Sequence, residues 1–261
     1  MNSERIVDWE RDAPQWPVLV NAARGHSPAH SVAVEPADDL LWRIYGPLVQ
    51  CNAPDKPFVI GQMGQSLDGR IATQTGHSHY INGPAAILHL HRLRALVDAV
   101  VIGVGTAIAD DPQLSVRHVE GPQPARVVID PKGRLPGYLR LLQQDGVRRI
   151  VIGDGPSLAG IEHVRLKSGP GGLAPSAIVG ALHGLGLKRI LIEGGGETVS
   201  RFLEAKALDR LHVMVSSMVI GAGPVGLSFG AIADLKDALR PTVITYPMAG
   251  GDTLFDCAFE E

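Results

Sequence analysis

The sequence predicts an α/β protein with a largely parallel central sheet, and two observations lead to that class. From residue 57 onward, short apolar runs rich in valine and isoleucine alternate with segments of helical periodicity. Continuous apolar runs are typical of strands covered on both faces, and alternation with helices favours parallel pairing. The predicted strands span residues 58–63, 99–103, 126–130, 150–152, 189–193 and 211–218.

Two helices between these strands have clear signals. Pro84 fits the first turn of a helix over residues 84–97, because its missing N–H costs nothing there. Apolar side chains then recur along this segment at helical spacing. A second helix is expected over residues 198–207. Near the C-terminus, residues 242–246 and 253–258 predict an antiparallel hairpin at the edge of the sheet.

The first 56 residues differ from the rest of the chain. They contain all three tryptophans and several prolines, and short helices are expected around residues 16–24 and 40–49. We therefore divide the chain into an N-terminal extension, residues 1–56, and a main domain, residues 57–261. The aromatic residues predict that the extension docks on the main domain or on a partner subunit.

Composition excludes several classes of function. A net charge of −3 gives no electrostatic reason to expect nucleic acid or an anionic membrane as a partner. The two cysteines cannot form a disulfide framework, and no apolar run approaches the roughly 20 residues that span a bilayer. We expect a soluble, cytoplasmic protein. No metal site is expected, because His89 and His91 would point about 200° apart on a helix.

A glycine-rich segment follows the strand predicted at residues 189–193. Glu193 precedes three glycines at 194–196, and a helix begins directly after them. Glycines let backbone N–H groups approach a ligand, and a helix N-terminus favours phosphate. The spacing matches neither a Walker loop nor a Rossmann fingerprint, so a glycine turn required only for packing stays an open alternative.

Two further strands end in segments of the same kind. Residues 103–106, Gly-Val-Gly-Thr, could meet a diphosphate. Asp110 and Asp111 could bind a ribose, a metal or a polar base, or they could simply cap a helix. After the strand at 126–130, Lys132 and Arg134 could bind the phosphate that separates NADP from NAD. The alternative for these two side chains is a solvated turn.

Taken together in order, five segments resemble the pyrimidine reductase of riboflavin biosynthesis, the C-terminal half of a bifunctional deaminase-reductase. They are Ser-Leu-Asp-Gly-Arg-Ile-Ala at 66–72, His-Arg-Leu-Arg-Ala at 91–95, residues 105–117, Arg-Val-Val-Ile-Asp at 126–130 and Glu-Gly-Gly-Gly at 193–196. The resemblance covers residues 57–229 and, more weakly, the C-terminus. It implies a dihydrofolate-reductase-like fold, a homodimer and NADPH as the hydride donor. Residues 1–56 do not resemble the zinc deaminase half.

The resemblance also implies which residues form the site. The cofactor side would use Tyr80, Asn82, Thr106, Asp110, Asp130, Lys132, Arg134, Gly194, Gly195, Gly196, Glu197 and Thr198. The substrate side would use Gln62, Ser78, Arg94, Leu114, Arg117 and Glu193. Glu193 and Asp68 would carry catalysis, and the guanidinium groups of Arg94 and Arg117 would hold a 5′-phosphate.

The implied reaction reduces the ribosyl group of a (di)aminopyrimidine 5′-phosphate to a ribityl chain by hydride transfer to C1′. Gln62 departs from the family, which commonly has lysine at that position. This departure keeps open an NADPH-dependent reductase of another heterocycle, such as a pterin. A third alternative is an NADP-binding module without catalysis.

Overall fold

A nine-stranded sheet forms the centre of the computed structural model, which describes residues 15–25, 40–50 and 56–259. The strands are β1 (Phe58–Gln65), β2 (Ala99–Gly103), β3 (Ala125–Ile129), β4 (Arg149–Gly153), β5 (Glu162–Arg165), β6 (Arg189–Glu193), β7 (Arg210–Val215), β8 (Thr242–Pro247) and β9 (Thr253–Ala258). Their order is β5-β4-β3-β2-β6-β1-β7-β9-β8. Strands β1 to β7 are parallel, and the β8–β9 hairpin joins β7 antiparallel, as predicted.

Helices cover both faces of the sheet. They are α1 (Trp16–Ala23), α2 (Leu40–Gln50), α3 (Pro84–Leu96), α4 (Val104–Asp110), α5 (Pro175–Gly184) and α6 (Gly196–Glu204). Leu191 of β6 belongs to a core shared with α1 to α4, whereas its neighbours Ile190 and Ile192 belong to a core shared with α5 and α6. Residues that alternate along β6 therefore face opposite layers, which explains its continuous apolar sequence.

Most predicted elements are present, with shifted ends. The strand predicted over 211–218 is too long, since β7 ends at Val215 and Ser216 N then donates to the Gln65 carbonyl at 2.8 Å. The helix predicted over 198–207 begins earlier, at Gly196, and ends at Glu204. Lys206 lies in the left-handed region with φ 53°, which ends that helix.

Three elements were not predicted. Strand β5 is an edge strand with partly exposed, charged residues, so it lacks the apolar run of a buried strand. Helix α4 begins directly after β2 and contains Gly105, and its sequence indicates a glycine loop. Helix α5 follows the glycine-rich loop at 168–172 and buries only Ile178 and Leu182 along its length. In each case the tertiary contacts outweigh a weak local signal.

Both predicted helices of the N-terminal extension are present and lie against α3. The indole Nε1 of Trp16 donates to the Glu120 carbonyl at 2.7 Å, and the Trp16 ring meets Tyr45 edge to face at 6.2 Å. The Tyr45 hydroxyl lies 2.7 Å from His89 Nδ1. Trp16 and Tyr45 are buried, so α1 and α2 belong to the same core as α3.

The Tyr45–His89 contact belongs to a longer buried series, here called the histidine chain: Tyr45, His89, His212, Asp256 and Arg210. His89 Nε2 lies 3.1 Å from His212 Nδ1, and His212 Nε2 lies 3.2 Å from Asp256 Oδ1. Arg210 donates to both Asp256 oxygens at 2.5 and 2.8 Å. Although burial opposes it, the hydrogen bonds from His212 and Arg210 lower the pKa of Asp256, so this carboxylate only accepts.

One proton assignment accounts for the contacts of the histidine chain, in which each ring nitrogen has a polar neighbour within 3.2 Å. With His212 donating to Asp256 through Nε2, its Nδ1 accepts from His89 Nε2, and His89 Nδ1 accepts from the Tyr45 hydroxyl. Burial lowers the pKa of His89 well below its ordinary value, with further lowering by His212 and Arg92, which is consistent with a neutral ring. The chain thus joins the extension to α3, β7 and β9.

Candidate active site

The glycine-bearing ends of β2 and β6 meet at the carboxyl edge of the sheet. The two strands are neighbours and parallel, and Gly195 N donates to Thr106 Oγ1 at 3.3 Å across the gap between their loops. A Cβ on Gly103 would lie 2.6 Å from Thr198 Oγ1, so a side chain at Gly103 would push the two loops apart. The two segments converge, as predicted from their position after parallel strands.

The strand order makes this edge the place where a ligand crevice is expected. After β2 the chain continues to β3 in one direction across the sheet. After β6 it continues past β1 to β7, in the opposite direction. Connections that diverge from neighbouring parallel strands open a crevice beyond their carboxyl ends. Gly194 has φ 106°, which favours glycine, and no side chain caps the N-terminus of α6. Backbone N–H groups of this loop are therefore suited to an anionic ligand.

Arg94 and Glu193 form a buried, bidentate ion pair at the end of β6. Arg94 Nε and Nη2 donate to the two Glu193 oxygens at 2.8 and 2.5 Å, and Nη1 donates to the Ser115 carbonyl at 3.1 Å. The two side chains are 7% and 12% exposed. We expected Arg94 to hold a phosphate, but the structure places its guanidinium on Glu193, where it fixes and neutralises that carboxylate.

Gln62 lies beside this ion pair. It is opposite Glu193 on β6 and opposite His212 on β7, so the three side chains lie on the sheet face that α3 covers. Gln62 is only 7% exposed. Gln62 therefore lies between the ion pair and the histidine chain. Because its amide is neutral, Arg94 is the cation that balances the charge of Glu193.

Arg117 lies at the rim of the same site. Its backbone N–H donates to His91 Nδ1 at 3.0 Å, and its guanidinium donates to Gln113 Oε1 and Ser115 Oγ at 2.8 and 2.9 Å. Burial lowers the pKa of His91 to about 3, so His91 is a neutral acceptor. Leu114 is buried with φ 52°, an unfavourable conformation for leucine that is often found at functional sites.

Three residues expected at the site lie in the loop before α3, namely Ser78 for the substrate and Tyr80 and Asn82 for the cofactor. Tyr80 is 85% exposed and has φ 66°, so its ring is free to cover a ligand. Asn82 Nδ2 donates to the Met214 carbonyl at 3.3 Å, which ties this loop to the end of β7. Ser78 is half-buried. Burial raises the pKa of Asp110, and the positive field of nearby His79 opposes that shift.

The residues expected near the 2′-phosphate of the cofactor differ in how exposed they are. The Asp130 carboxylate is buried, 1% exposed, and accepts from Leu135 N at 2.8 Å, so it holds its own loop in place. Lys132 and Arg134 are exposed on that loop. The exposed charged groups of this turn are therefore the two cations, whereas Asp130 fixes the loop.

Asp68 does not have the environment of a proton donor. Its carboxylate accepts from the Ser66 hydroxyl at 2.6 Å and from Ile220 N and Gly221 N at 3.0 and 2.7 Å. The Ser66 bond and these backbone bonds lower the pKa of Asp68 to about 2. These contacts bind Asp68 to the loop after β7 as a fixed anion, and the catalytic role expected for it stays a prediction.

Two general features complete the site. The described residues contain no group of histidine, cysteine and acidic side chains that could hold a metal ion. His89 and His91 point to different partners, His212 and Arg117, in agreement with their predicted separation. Within the ranges described above, no helix is long and apolar enough to cross a membrane.

Sequence reasoning missed Arg140, His91 and Ser115. Arg140 follows β3 in a segment without periodicity, and its backbone N–H donates to Asp111 Oδ1 at 2.7 Å. His91 lies in the His-Arg-Leu-Arg-Ala motif but supports Arg117 through a backbone hydrogen bond, which no sequence pattern indicates. The contact between Arg94 and the Ser115 carbonyl likewise depends on main-chain geometry.

The fold and site together define an α/β protein in which two glycine-bearing strand ends converge beside a buried arginine–glutamate pair. The model of the RibD C-terminal domain family matches residues 57–241. The chain belongs to this family, the reductases of riboflavin biosynthesis, and is an oxidoreductase.

The relatives include stand-alone and bifunctional proteins. The chain is 31% identical over 195 residues to the 2,5-diamino-6-ribosylamino-4(3H)-pyrimidinone 5′-phosphate reductase of Methanothermobacter thermautotrophicus, covering 71% of this chain and 90% of that one. It is also 31% identical to riboflavin biosynthesis protein RibD of Aquifex aeolicus, over 71% of this chain and 53% of RibD.

A solved structure supports the fold. The deaminase/reductase of Thermotoga maritima superposes with a TM-score of 0.70 at 26% identity, covering 83% of this chain and 59% of the bifunctional one. The chain thus spans little more than half of the bifunctional proteins. This likeness is in agreement with the predicted dihydrofolate-reductase-like fold.

Proposed function

We propose that this chain uses NADPH to reduce the ribosyl group of a (di)aminopyrimidine 5′-phosphate to a ribityl chain. The observation that carries the proposal is the buried Arg94–Glu193 pair, fixed beside the converging glycine loops of β2 and β6. The name of the Methanothermobacter thermautotrophicus relative supports the same substrate class.

The reaction needs ring opening and the addition of two electrons at C1′. The C1′–O4′ bond breaks while the substituent nitrogen forms a C=N bond to C1′ and O4′ takes a proton. When bound, a nicotinamide would supply the hydride that C1′ accepts, and the nitrogen would end as an amine. Positive charge develops on the C=N group before reduction, so a fixed carboxylate beside it lowers the barrier.

Glu193 is the residue suited to that role. Arg94 holds both of its oxygens, so the carboxylate cannot rotate away, and Gln62 stands next to it on β1. The Gln62 amide can donate to and accept from the polar edge of a pyrimidine. These side chains orient the substrate and stabilise charge, and the difficult redox chemistry belongs to the cofactor.

The preference for NADPH over NADH rests on the loop after β3. Lys132 and Arg134 are exposed there, and neither has a carboxylate partner in the part of the chain that the structure describes. Tyr80, Asn82, Thr106 and the loop at 194–198 would hold the remainder of the cofactor. Cations beyond the second or third strand of such a sheet are the usual means of binding a 2′-phosphate.

A homodimer is also part of the proposal. Strand β8 is an edge strand, and it exposes Val243 and Ile244 beside Leu239. An exposed edge strand with apolar side chains invites pairing with another copy. Light scattering on the purified protein tests this, with a dimer mass expected and a monomer at micromolar concentration against it.

The experiment on function is an NADPH oxidation assay with the ribosylaminopyrimidine 5′-phosphate, its deaminated uracil form and a dihydropterin. We expect turnover of a ribosyl pyrimidine, a product heavier by two hydrogens, and weaker activity with NADH. Deuterium from labelled NADPH should appear at C1′. Turnover of the pterin alone would overturn the proposal, as would tight NADPH binding without oxidation in any assay.

A further inference from the structure

The positive charges of Arg94 and Arg140 both act on Arg117, so the three guanidinium groups lie near one another, and Arg94 is the one paired with a carboxylate among the described residues. Arg94, Arg117 and Arg140 form this arginine cluster. Glu193 gives both carboxylate oxygens to Arg94. Among the described residues, no carboxylate lies within 4.0 Å of the guanidinium of Arg117 or Arg140. The cluster therefore contains two guanidinium groups that have no ion-pair partner among the described residues.

Backbone anchors hold these two charges near each other. Arg117 is fixed by its N–H bond to His91, and Arg140 by its N–H bond to Asp111 Oδ1. Gln113, which accepts from the Arg117 guanidinium, is two residues from Asp111. The acceptors of Arg117, a side-chain amide and a hydroxyl, are neutral, so they orient its charge without cancelling it.

The segment that carries Arg140 leaves its side chain directed outward. Leu139, Leu141 and Leu142 are 4%, 0% and 6% exposed, whereas Arg140 between them is exposed. Partial burial lowers the pKa of Arg117, and the positive fields of Arg94 and Arg140 lower it further against Glu193. This repulsion costs stability in the free protein, and a bound anion relieves it.

We infer that Arg140 is a second ligand, beside Arg117, for the phosphate monoester of the substrate, and that the pair selects phosphorylated over unphosphorylated ribosides. The inference rests on the proposed function. Two guanidinium groups suit a dianion better than one, because each presents paired donors to its oxygens. The phosphate that the sequence assigned to Arg94 and Arg117 thus falls to Arg117 and Arg140.

The test compares Arg140→Met with Arg24→Met, an exposed arginine near the start of β6 at the opposite edge of the sheet. For Arg140→Met we expect KM for the 5′-phosphate substrate to rise about 10-fold or more, and turnover of the unphosphorylated riboside to be unchanged. Arg24→Met should match the wild type in both. Equal losses on both substrates, or no loss, would overturn the inference.

Two further arms separate the alternatives. The ratio of NADPH to NADH activity should be unchanged in Arg140→Met. A lower ratio would assign Arg140 to the 2′-phosphate of the cofactor and overturn the inference. Binding of inorganic phosphate, measured by calorimetry, needs no activity and should weaken about 10-fold in Arg140→Met. If no pyrimidine is reduced but this weakening is seen, the proposed function fails and the phosphate site stands. Unchanged phosphate binding would refute the site itself.

Discussion

Helix α3 carries two buried polar side chains, and the groups around them differ in how completely the protein pairs them. Near its middle, His89 joins the histidine chain, in which each ring nitrogen has a polar neighbour within 3.2 Å. Near its end, Arg94 joins the arginine cluster, where two guanidinium groups have no ion-pair partner among the described residues. Buried polar groups that are fully satisfied stabilise a fold, whereas surplus donors and charge indicate where a ligand binds.

The largest effect on activity and stability is expected from a substitution at Glu193. Glu193→Gln should lower kcat/KM on the order of 10²–10³-fold, because the fixed negative charge beside C1′ is lost. It should also lower the free energy of unfolding by about 3 kcal/mol, since the Arg94 cation is left buried and unbalanced. Steady-state kinetics and urea unfolding measure the two effects.

A double variant sharpens this result. Arg94→Met combined with Glu193→Leu removes both charges, so stability should return to within about 1 kcal/mol of the wild type while activity stays absent. Recovery of activity in the double variant would show that the pair is structural only. Failure to recover stability would show that packing around the pair, rather than its charge, dominates.

A change in pH acts on the neutral histidines of α3. The pKa of His89 and the pKa of His91 are both lowered in the folded protein, chiefly by burial. Below about pH 6.5 these two histidines bind protons in the unfolded chain but stay neutral in the folded protein. The free energy of unfolding therefore falls as pH falls. Each histidine contributes a slope of about 1.4 kcal/mol per pH unit, and the contribution of His91 continues to its folded pKa of about 3.

Unfolding by urea at several values between about pH 7 and pH 4.5 measures that slope. His91→Asn removes one titrating group and keeps an acceptor for Arg117 N–H, so we expect it to halve the slope. A stability that stays constant over this range would contradict neutral, buried histidines in both positions.

The smallest effect is expected at the hydroxyl of Tyr45. Tyr45→Phe leaves His89 Nδ1 without its donor, so the free energy of unfolding should fall by about 1–3 kcal/mol. The kcat/KM should stay within about twofold of the wild type, because the histidine chain does not contact substrate. Tyr138→Phe, at a side chain 84% exposed, is the matched control and should change neither quantity. A large activity loss in Tyr45→Phe would show that the histidine chain and the arginine cluster act together in catalysis.

The sequence predicted the parts of this molecule that depend on local pattern. Strands such as β2 and β6 are continuous apolar runs, and their glycine-bearing ends had to meet once the strands were parallel neighbours. The motifs likewise named Glu193 and Arg117, whose roles at the site stay predictions. The partner of Arg94 was not predictable, because a guanidinium at that position suits a ligand phosphate and a protein carboxylate equally.

Features that depend on distant parts of the chain were not predicted. Arg140 acts with Arg117 only because the segment after β3 returns to the end of α4, where Asp111 holds it. The histidine chain combines α2, α3, β7 and β9, and no short spacing links those residues. Asp68 belongs to a family motif, but its role follows from its hydrogen bonds to the loop after β7.

The most direct test of the account is a crystal structure of the protein with NADPH bound. We expect the cofactor across the carboxyl ends of β2 and β6, its phosphates on the loop at 194–198 and its nicotinamide facing Glu193. Binding in the cavity of about 720 Å³ between α5 and β8, which includes Lys56 and Asp209 at the opposite edge of the sheet, would contradict it.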